Sequence, residues 1–370
     1  MFGKGTKFKA STGMSVASTV VAAQLFITAP AVADEFQRIY RSPAYLGRGD
    51  TGVADTDGAE AIFYNPAGLA AGKGIFKEVV LTSPGVSVSS DTRALIKDVA
   101  SSDGGGDTIS TLTRHVGSNQ HIAFSNLTAI VLRRAAIGVL GSAETNVLVY
   151  KDPAQGGLEA VDANLYSTAG ATFSLADSFY NGGLLIGGTI GWYQRAQAEL
   201  QLGLLEAQNM DSSEDIFGYG TTSPVTLGAM LVSSGKTPST FGLTVHNLGD
   251  AHVSPNSQGM QVDNLKQRID AGYSVQTSSK AATAKFLVDV VDVTSRYTSD
   301  IYKKLHVGGE ITLVNRLGLS AGLNQGGPCA GMFLDLWLAR IDAGFYTEEV
   351  GEKVGLRSDM RYFGRIKVGF

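Results

Sequence analysis

Three short stretches of the sequence carry residue types and spacings that could do chemistry. Gly47-x-Gly49-x-x-Gly52 has the spacing of a dinucleotide-binding turn, where backbone N–H groups cradle a pyrophosphate. Such a turn needs a hydrophobic strand before it and a βαβ unit around it, and the flanking residues supply neither. Gly318-Leu319-Ser320-Ala321-Gly322 matches a nucleophile elbow. Yet Leu317, Leu319, Ala321 and Leu323 alternate as one strand face, and no strand-to-helix turn follows. Ser320 therefore reads as a plain lumen-facing serine. Asp55-x-Asp57-Gly58 starts like a calcium loop, but the ligand series is incomplete. Arg48-Gly49-Asp50 matches an adhesion tripeptide, and three-residue matches are common by chance. Asp289, Asp292 and Glu348-Glu349 have no spacing that identifies acid/base work.

Metal and thiol chemistry fare no better. His115, His121, His246, His252 and His306 form no i, i+4 pair of a helical metal site. Cys329 is the single cysteine, which excludes an internal disulfide and a thiolate cluster. We expect no catalytic residue, no metal and no cofactor, and the chain is not read as an enzyme.

The elements that would position these residues follow from composition and pattern. Charged residues make up 17% of the chain and the net charge is −4, which argues against a nucleic-acid partner. Glycine is abundant at 46 residues and proline sparse at 9, a balance that fits bent, closely packed sheets. The start reads as an export signal over residues 1–33. Lys4, Lys7 and Lys9 form a basic start, Val16 to Ile27 is mostly apolar or small, and Ala31-Val32-Ala33 is a small-x-small cleavage site. The mature chain is expected to begin at Asp34. After it, no run of about 18 apolar residues could form a spanning helix.

Strand-like alternation dominates instead. Leu184, Ile186, Gly188, Ile190 and Trp192 share one face, and Arg195, Gln197, Glu199 and Gln201 lie on the other. The same period recurs in Ala163 to Leu175, Phe241 to His246 and Leu305 to Leu313. This length exceeds the usual soluble strand of about 5–6 residues. Roughly fourteen strands are predicted, a number within the range of spanning barrels. They start near Ile75, Ser118, Ala135, Val161, Gly183, Thr222, Ser239, Gln267, Thr283, Lys304, Arg316, Cys329, Ala339 and Arg357. Between the first two, Asp91 to Gly117 reads as a polar loop. In the last strand Met360, Tyr362, Gly364, Ile366, Val368 and Phe370 form an outward face. Arg357, Asp359, Arg361, Arg365 and Lys367 form the inward face, with Phe363 its one apolar exception. The fold class is all-β, a transmembrane antiparallel β-barrel spanning residues 75–370.

Residues 34–74 do not alternate and are expected to form an N-terminal plug at or inside one barrel mouth. Asp57 is expected to cap a short helix through Ala59 to Phe63, which Pro66 would end. The Gly-x-Gly-x-x-Gly stretch, the acidic turn and Ala61-Ile62-Phe63-Tyr64-Asn65-Pro66-Ala67-Gly68-Leu69-Ala70 resemble the N-terminal region of the FadL-type outer-membrane transport superfamily. That superfamily includes fatty-acid channels, aromatic-hydrocarbon channels and PorV-like barrels, and related barrels carry conjugal-transfer names. The late strands around Gly309-Glu310 and Gly318 to Gly327 are more loosely similar. The resemblance implies a fourteen-stranded barrel with a plug, and places Asn65, Pro66 and Ala67 in that plug. A chain starting at Asp34 is short for a fatty-acid channel.

Two functions follow as expectations. One is a passive channel for hydrophobic small molecules such as fatty acids, with Phe63, Tyr64, Asn65, Pro66, Ala67, Gly68 and Leu69 as plug or ligand-gate candidates. The other is a PorV-like or conjugal-transfer-like barrel that docks or assembles other envelope proteins. In both cases the protein sits in the bacterial outer membrane among its lipids. The outward face of the last strand, Met360, Tyr362, Ile366, Val368 and Phe370, is the expected signal to the barrel-assembly machinery.

Overall fold

A computed structural model describes residues 36–72, 74, 76–101, 115–152, 158–203, 217–256 and 261–370. The export signal and the expected cleavage at Asp34 lie outside the described residues. Numbered in chain order, β1 comprises Phe76–Thr82 and Gly85–Ser89. It is followed by β2 Asn119–Leu132, β3 Ala135–Asp152, β4 Leu158–Phe179 and β5 Leu184–Gly203. Next, β6 comprises Phe217–Thr222 and Val225–Ser233, and β7 comprises Ser239–His246 and Ser254–Pro255. The series closes with β8 Arg268–Ser278, β9 Ala282–Val290, β10 Leu305–Leu313, β11 Leu317–Asn324, β12 Gly327–Asp335, β13 Ala339–Glu349 and β14 Ser358–Gly369.

Every neighbour pair is antiparallel, and the sheet shuts on itself. β14 pairs with β13 through Ile341↔Ile366 and with β1 through Val86↔Gly364. The result is a closed barrel of fourteen strands. Closure leaves no sheet edge, so backbone donors and acceptors are satisfied within the wall. Thirteen of the predicted strand starts fall within three residues of the observed ones. The exception is β6, which begins at Phe217 rather than near Thr222. Its first half, Phe-Gly-Tyr-Gly-Thr-Thr, has too few large apolar residues to show alternation, and Pro224 looks like a boundary.

Proline interrupts two strands without opening the wall. At Pro84 of β1, Asn126 Oδ1 accepts from Ser83 N at 2.8 Å and Thr82 Oγ1 at 2.9 Å. At Pro224 of β6, the proline carbonyl accepts from Gly191 N at 3.0 Å. Beside each proline, which has no N–H to donate, neighbouring donors still find acceptors, in the Asn126 side chain and in the Pro224 carbonyl.

Two expectations need correction. Asp91 to Gly117 is not simply a loop: Ser90–Ser101 is a helix, α2, started by Ser89 Oγ accepting from Thr92 N at 3.0 Å. The Ser- and Gly-rich residues that follow concealed Ala94-Leu95-Ile96, and residues 102–114 lie outside the described set. Asp57 precedes the turn Gly58–Glu60 but makes no side-chain cap bond. Glu78 Oε2 accepts from Ala59 N at 2.8 Å instead, so a carboxylate from the wall of β1 takes the capping role.

The two rims differ. At one end the hairpins are short, as at Arg133-Arg134, Ser279–Ala281 and Leu336–Leu338, and both β1 and β14 have their outer chain ends there. At the other end most connections are longer, although Gln325-Gly326 alone joins β11 to β12, and Val262 and Leu265 ahead of β8 are buried.

Candidate functional site: the lumen and the segment within it

Residues 36–72 run through the barrel interior. α1, Pro43–Leu46, is started by Ser42, and the single helical turn Ala61–Tyr64 is followed by a tight turn at Pro66–Ala70. Glycine explains why this backbone can lie against the wall. A Cβ on Gly308 of β10 would come within 2.0 Å of Arg48 O, and one on Gly242 of β7 within 2.2 Å of Val53 O. On Gly187 of β5 it would meet Pro66 at 2.4 Å, and on Gly228 of β6 it would meet Asn65 Oδ1 at 2.0 Å. From the segment's side, Gly47 lies on Gly331 of β12, and Gly49 adopts φ +78° beside Val307 and Leu323 carbonyls. Of the Gly47-x-Gly49-x-x-Gly52 stretch, Gly47 and Gly49 thus serve close backbone contact with strands, and Gly52 leaves room for the Tyr45 and Tyr64 rings.

Charged side chains then fix the segment at several heights. Arg41 bridges Asp50 at 3.1 Å and Glu348 of β13 at 2.9 Å, while Arg38 also reaches Asp50. Arg48 pairs with Asp55 at 3.0 Å and Glu310 at 3.4 Å, and Lys285 meets Asp55 at 2.9 Å. Arg365 of β14 joins Glu60 to Asp342. Asp289 Oδ2 accepts from Gly52 N at 2.7 Å and Val53 N at 2.9 Å. His306 Nδ1 donates to Gly49 O at 2.7 Å. Cys329 Sγ accepts from Gly49 N at 3.1 Å. Such buried pairs are costly to break, because removing one partner strands the other.

Several residues that looked chemically idle thus hold the segment. Asp289 and Glu348 bind it, whereas Glu349 ties down its own turn by accepting from Gly351, Gly355 and Arg357. Asp292 does the same for the turn at Arg296 to Thr298. Ser320 lies against Gly47 in the packed contact. The missed wall partners carried one sequence signal. Opposite charges two residues apart, Arg268-x-Asp270, Arg340-x-Asp342 and Asp359-x-Arg361, lie on the same inward face and pair there.

The gate candidates form one packed unit. Phe63 packs on Tyr40 with ring centroids 4.9 Å apart. Tyr64 donates to Asp50 Oδ1, accepts from Ser42 N at 3.1 Å and meets the Tyr45 ring edge-on. Asn65 is fully buried, donating to Val53 O at 2.8 Å and accepting from Ala67 N at 3.1 Å. Pro66, Ala67, Gly68 and Leu69 are buried against β4, β5 and β6. None of these seven lines either of two cavities beside the segment. The cavity on the long-loop side has about 390 Å³. The segment lines it with Phe36, Ile39, Tyr40 and Pro43 beside Gln37, Arg38 and Arg41, and the wall lining includes His121, Asn146, Tyr166 and Arg195. The cavity on the short-turn side has about 560 Å³ and is charged, with Arg48, Asp55, Lys285, Glu310 and Lys367 among its lining.

The barrel exterior is the opposite of its interior. Ile137, Val139, Ile186, Phe286, Ile311 and Leu319 all point outward and are exposed. In β14, Met360, Tyr362 and Ile366 point outward as expected, Val368 is half-buried beside Ala339, and Phe370 is exposed at the rim. The inward exception, Phe363, packs with Leu46, Cys329 and Tyr346. Aromatic residues ring the short-turn end, at Phe76, Phe179, Tyr180, Trp337 and Phe370. A second set, Phe124, Trp192 and Tyr362, sits eight residues up its strands. With about 3.4 Å per residue and a tilt of about 40°, the two sets are roughly 20 Å apart, near the height of an apolar membrane band. An apolar belt between aromatic girdles, short turns at one end and longer connections at the other describe one class of protein. The chain is an outer-membrane β-barrel.

No family model and no curated protein matches the chain. Among solved structures it is similar to the translocator domain of the autotransporter NalP from Neisseria meningitidis, at 10% identity. That match covers 84% of this chain and 92% of the other, with a TM-score of 0.38. It is also similar to the Pseudomonas putida toluene transporter TodX, at 11% identity over 94% of this chain and 99% of the other, with a TM-score of 0.37. CdiB from Acinetobacter baumannii gives 11% identity over 78% and 60%, with a TM-score of 0.37. The assignment here rests on the strand pairing and the exterior.

Proposed function

We propose that the protein is a passive, gated channel for small molecules that are largely apolar with a polar end. One observation carries this reading: two cavities lie on either side of a single chain segment held without covalent bonds. The outer one has the size of a small-molecule site, with apolar groups such as Phe36, Ile39 and Leu148 interspersed with hydrogen-bonding groups such as Arg38, Asn146 and Tyr166. Residues 36–72 act as the gate, and the buried motif Phe63 to Leu69 anchors it rather than touching ligand. No chemistry is assigned to the protein, since its one elbow-like serine is packed against Gly47. The FadL-type resemblance of the segment supports the same reading.

The test is uptake of a hydrophobic probe by vesicles holding the purified barrel. Deleting 55–72 should raise flux above that of the full chain while the barrel still assembles. Background flux from both forms would reject transport for the probes tried.

A second reading, a docking barrel for envelope proteins, is favoured by the glycine contacts. They cover strands on several sides of the lumen and make the segment look permanent. On this reading the deletion leaves flux at background and changes which proteins co-purify.

A further inference from the structure

The short-turn rim carries a pattern that a gate does not require. Going round the barrel, the turns bear Arg133-Arg134, Tyr180, Lys236, Lys280, Arg316 and Trp337 in order, and Phe76 and Phe370 lie at the chain ends of β1 and β14 beside their seam. Every stop on the ring thus offers a cation or an aromatic ring. Tyr180 is 85% and Trp337 80% exposed. Arg134 pairs with Asp177 at 3.0 Å, but among the described residues no acid pairs with Arg133, Lys236, Lys280 or Arg316. At the long-loop rim Arg296 donates to Asp250 at 2.6 Å, while Arg93, Lys97, Lys266 and Lys353 carry no acid partner among the described residues either, so what distinguishes the short-turn rim is the alternation of cations with exposed aromatic rings.

We propose that this rim is a collar for anionic phospholipid headgroups. The geometry favours lipid over a protein partner, because a folded partner would cover one sector whereas the pattern runs round the whole circumference. The chemistry fits as well. Exposed Tyr and Trp rest at the headgroup level, and basic side chains beside them attract phosphodiester anions. Short turns mark the periplasmic end, so the lipids recognised are the diacyl phospholipids of the inner leaflet. The collar would fix the depth of the barrel and stands whether or not the lumen conducts.

The two tryptophans, Trp192 and Trp337, supply the test. The Trp192→Phe protein, whose remaining indole is Trp337, is reconstituted in equimolar phosphatidylcholine and phosphatidylglycerol. Either one lipid or the other carries bromine on its acyl chains as a quencher. Brominated phosphatidylglycerol should quench Trp337 more strongly than brominated phosphatidylcholine. The difference should shrink in high salt and disappear in Arg133→Gln/Lys236→Gln/Lys280→Gln/Arg316→Gln. Neutralising Arg93, Lys97, Lys266 and Lys353 at the opposite rim should leave it unchanged. Equal quenching by the two lipids in the otherwise unaltered protein overturns the proposal, even if the fourfold variant fails to fold. A preference that survives the fourfold change, or that follows the opposite-rim set, overturns it too.

Discussion

Gly308 and Gly309 are neighbours in β10 with opposite duties. A Cβ on Gly308 would lie 2.0 Å from Arg48 O, inside the lumen, while one on Gly309 would meet nothing nearer than 3.8 Å. Gly308→Ala should therefore push the segment off its strand, at a cost typical of overpacking, about 1–3 kcal/mol. Gly309→Ala should be nearly silent. Hydrogen exchange at Gly47 to Val53 checks this: exchange should quicken in the first variant and stay unchanged in the second. Equal protection in both would mean that the segment is not seated on the wall. The same residues explain what was hidden at this scale. Glycine has no hydropathy face, so the sequence pattern marks where strands run but not which inward glycines meet another backbone. The segment's acids and arginines were visible, but their wall partners lie some 230 to 310 residues away, and periodicity carries no information about such distant pairs.

Among the strands, β14 was the most legible. Its two faces were readable because one meets lipid and the other meets ion pairs, so alternation is enforced from both sides. Ile366 is outward and exposed, and Lys367 is inward on Glu78. Ile366→Asp should lower the yield of assembled barrel, although by less than the about 2–4 kcal/mol of a mid-membrane lysine or arginine. Lys367→Gln removes the charge of a part-buried ion pair but leaves an amide that can still donate to Glu78, and should cost less than Ile366→Asp. The fraction of heat-resistant folded barrel in membranes measures both, and comparable losses would contradict the facing. Where sequence reading failed, the physical pressure was absent. α2 and the first half of β6 lie toward the long-loop rim, with less lipid on one side to impose a pattern. The gate candidates lie together as one unit, and their burial against β4 to β6 depends on glycines contributed by those strands.

At the scale of the whole molecule, the outer mouth is held by contacts separate from those of the wall. Asp300 Oδ2 accepts from Val354 N at 2.9 Å, tying residues 291–304 to residues 350–357. Asp250 accepts from Gln267 N and is gripped by Arg296, tying the turn at Asp250 to the residues just ahead of β8. The hydrogen bond from Val354 N, with those from Tyr302 and Lys303, holds Asp300 below the ordinary carboxylate value of 3.8. The bond from Gln267 N and the Arg296 side chain do the same for Asp250. A carboxylate whose pKa is lowered on folding contributes stability that is present above its unfolded value and is lost as pH falls through its folded value. The loop ties should therefore persist from neutrality down to the ordinary carboxylate range and release only below it. The strands, held by a closed hydrogen-bonded ladder, should remain protected there, because stability is unequal across a structure. Hydrogen exchange followed downward in pH should show residues 247–256 and 350–357 opening before β2 to β5. Asp250→Asn with Asp300→Asn should open the same loops at neutral pH. Release near pH 6 in the unaltered protein would assign the mouth to a histidine instead, and simultaneous loss of loops and strands would show that mouth and wall are one cooperative unit.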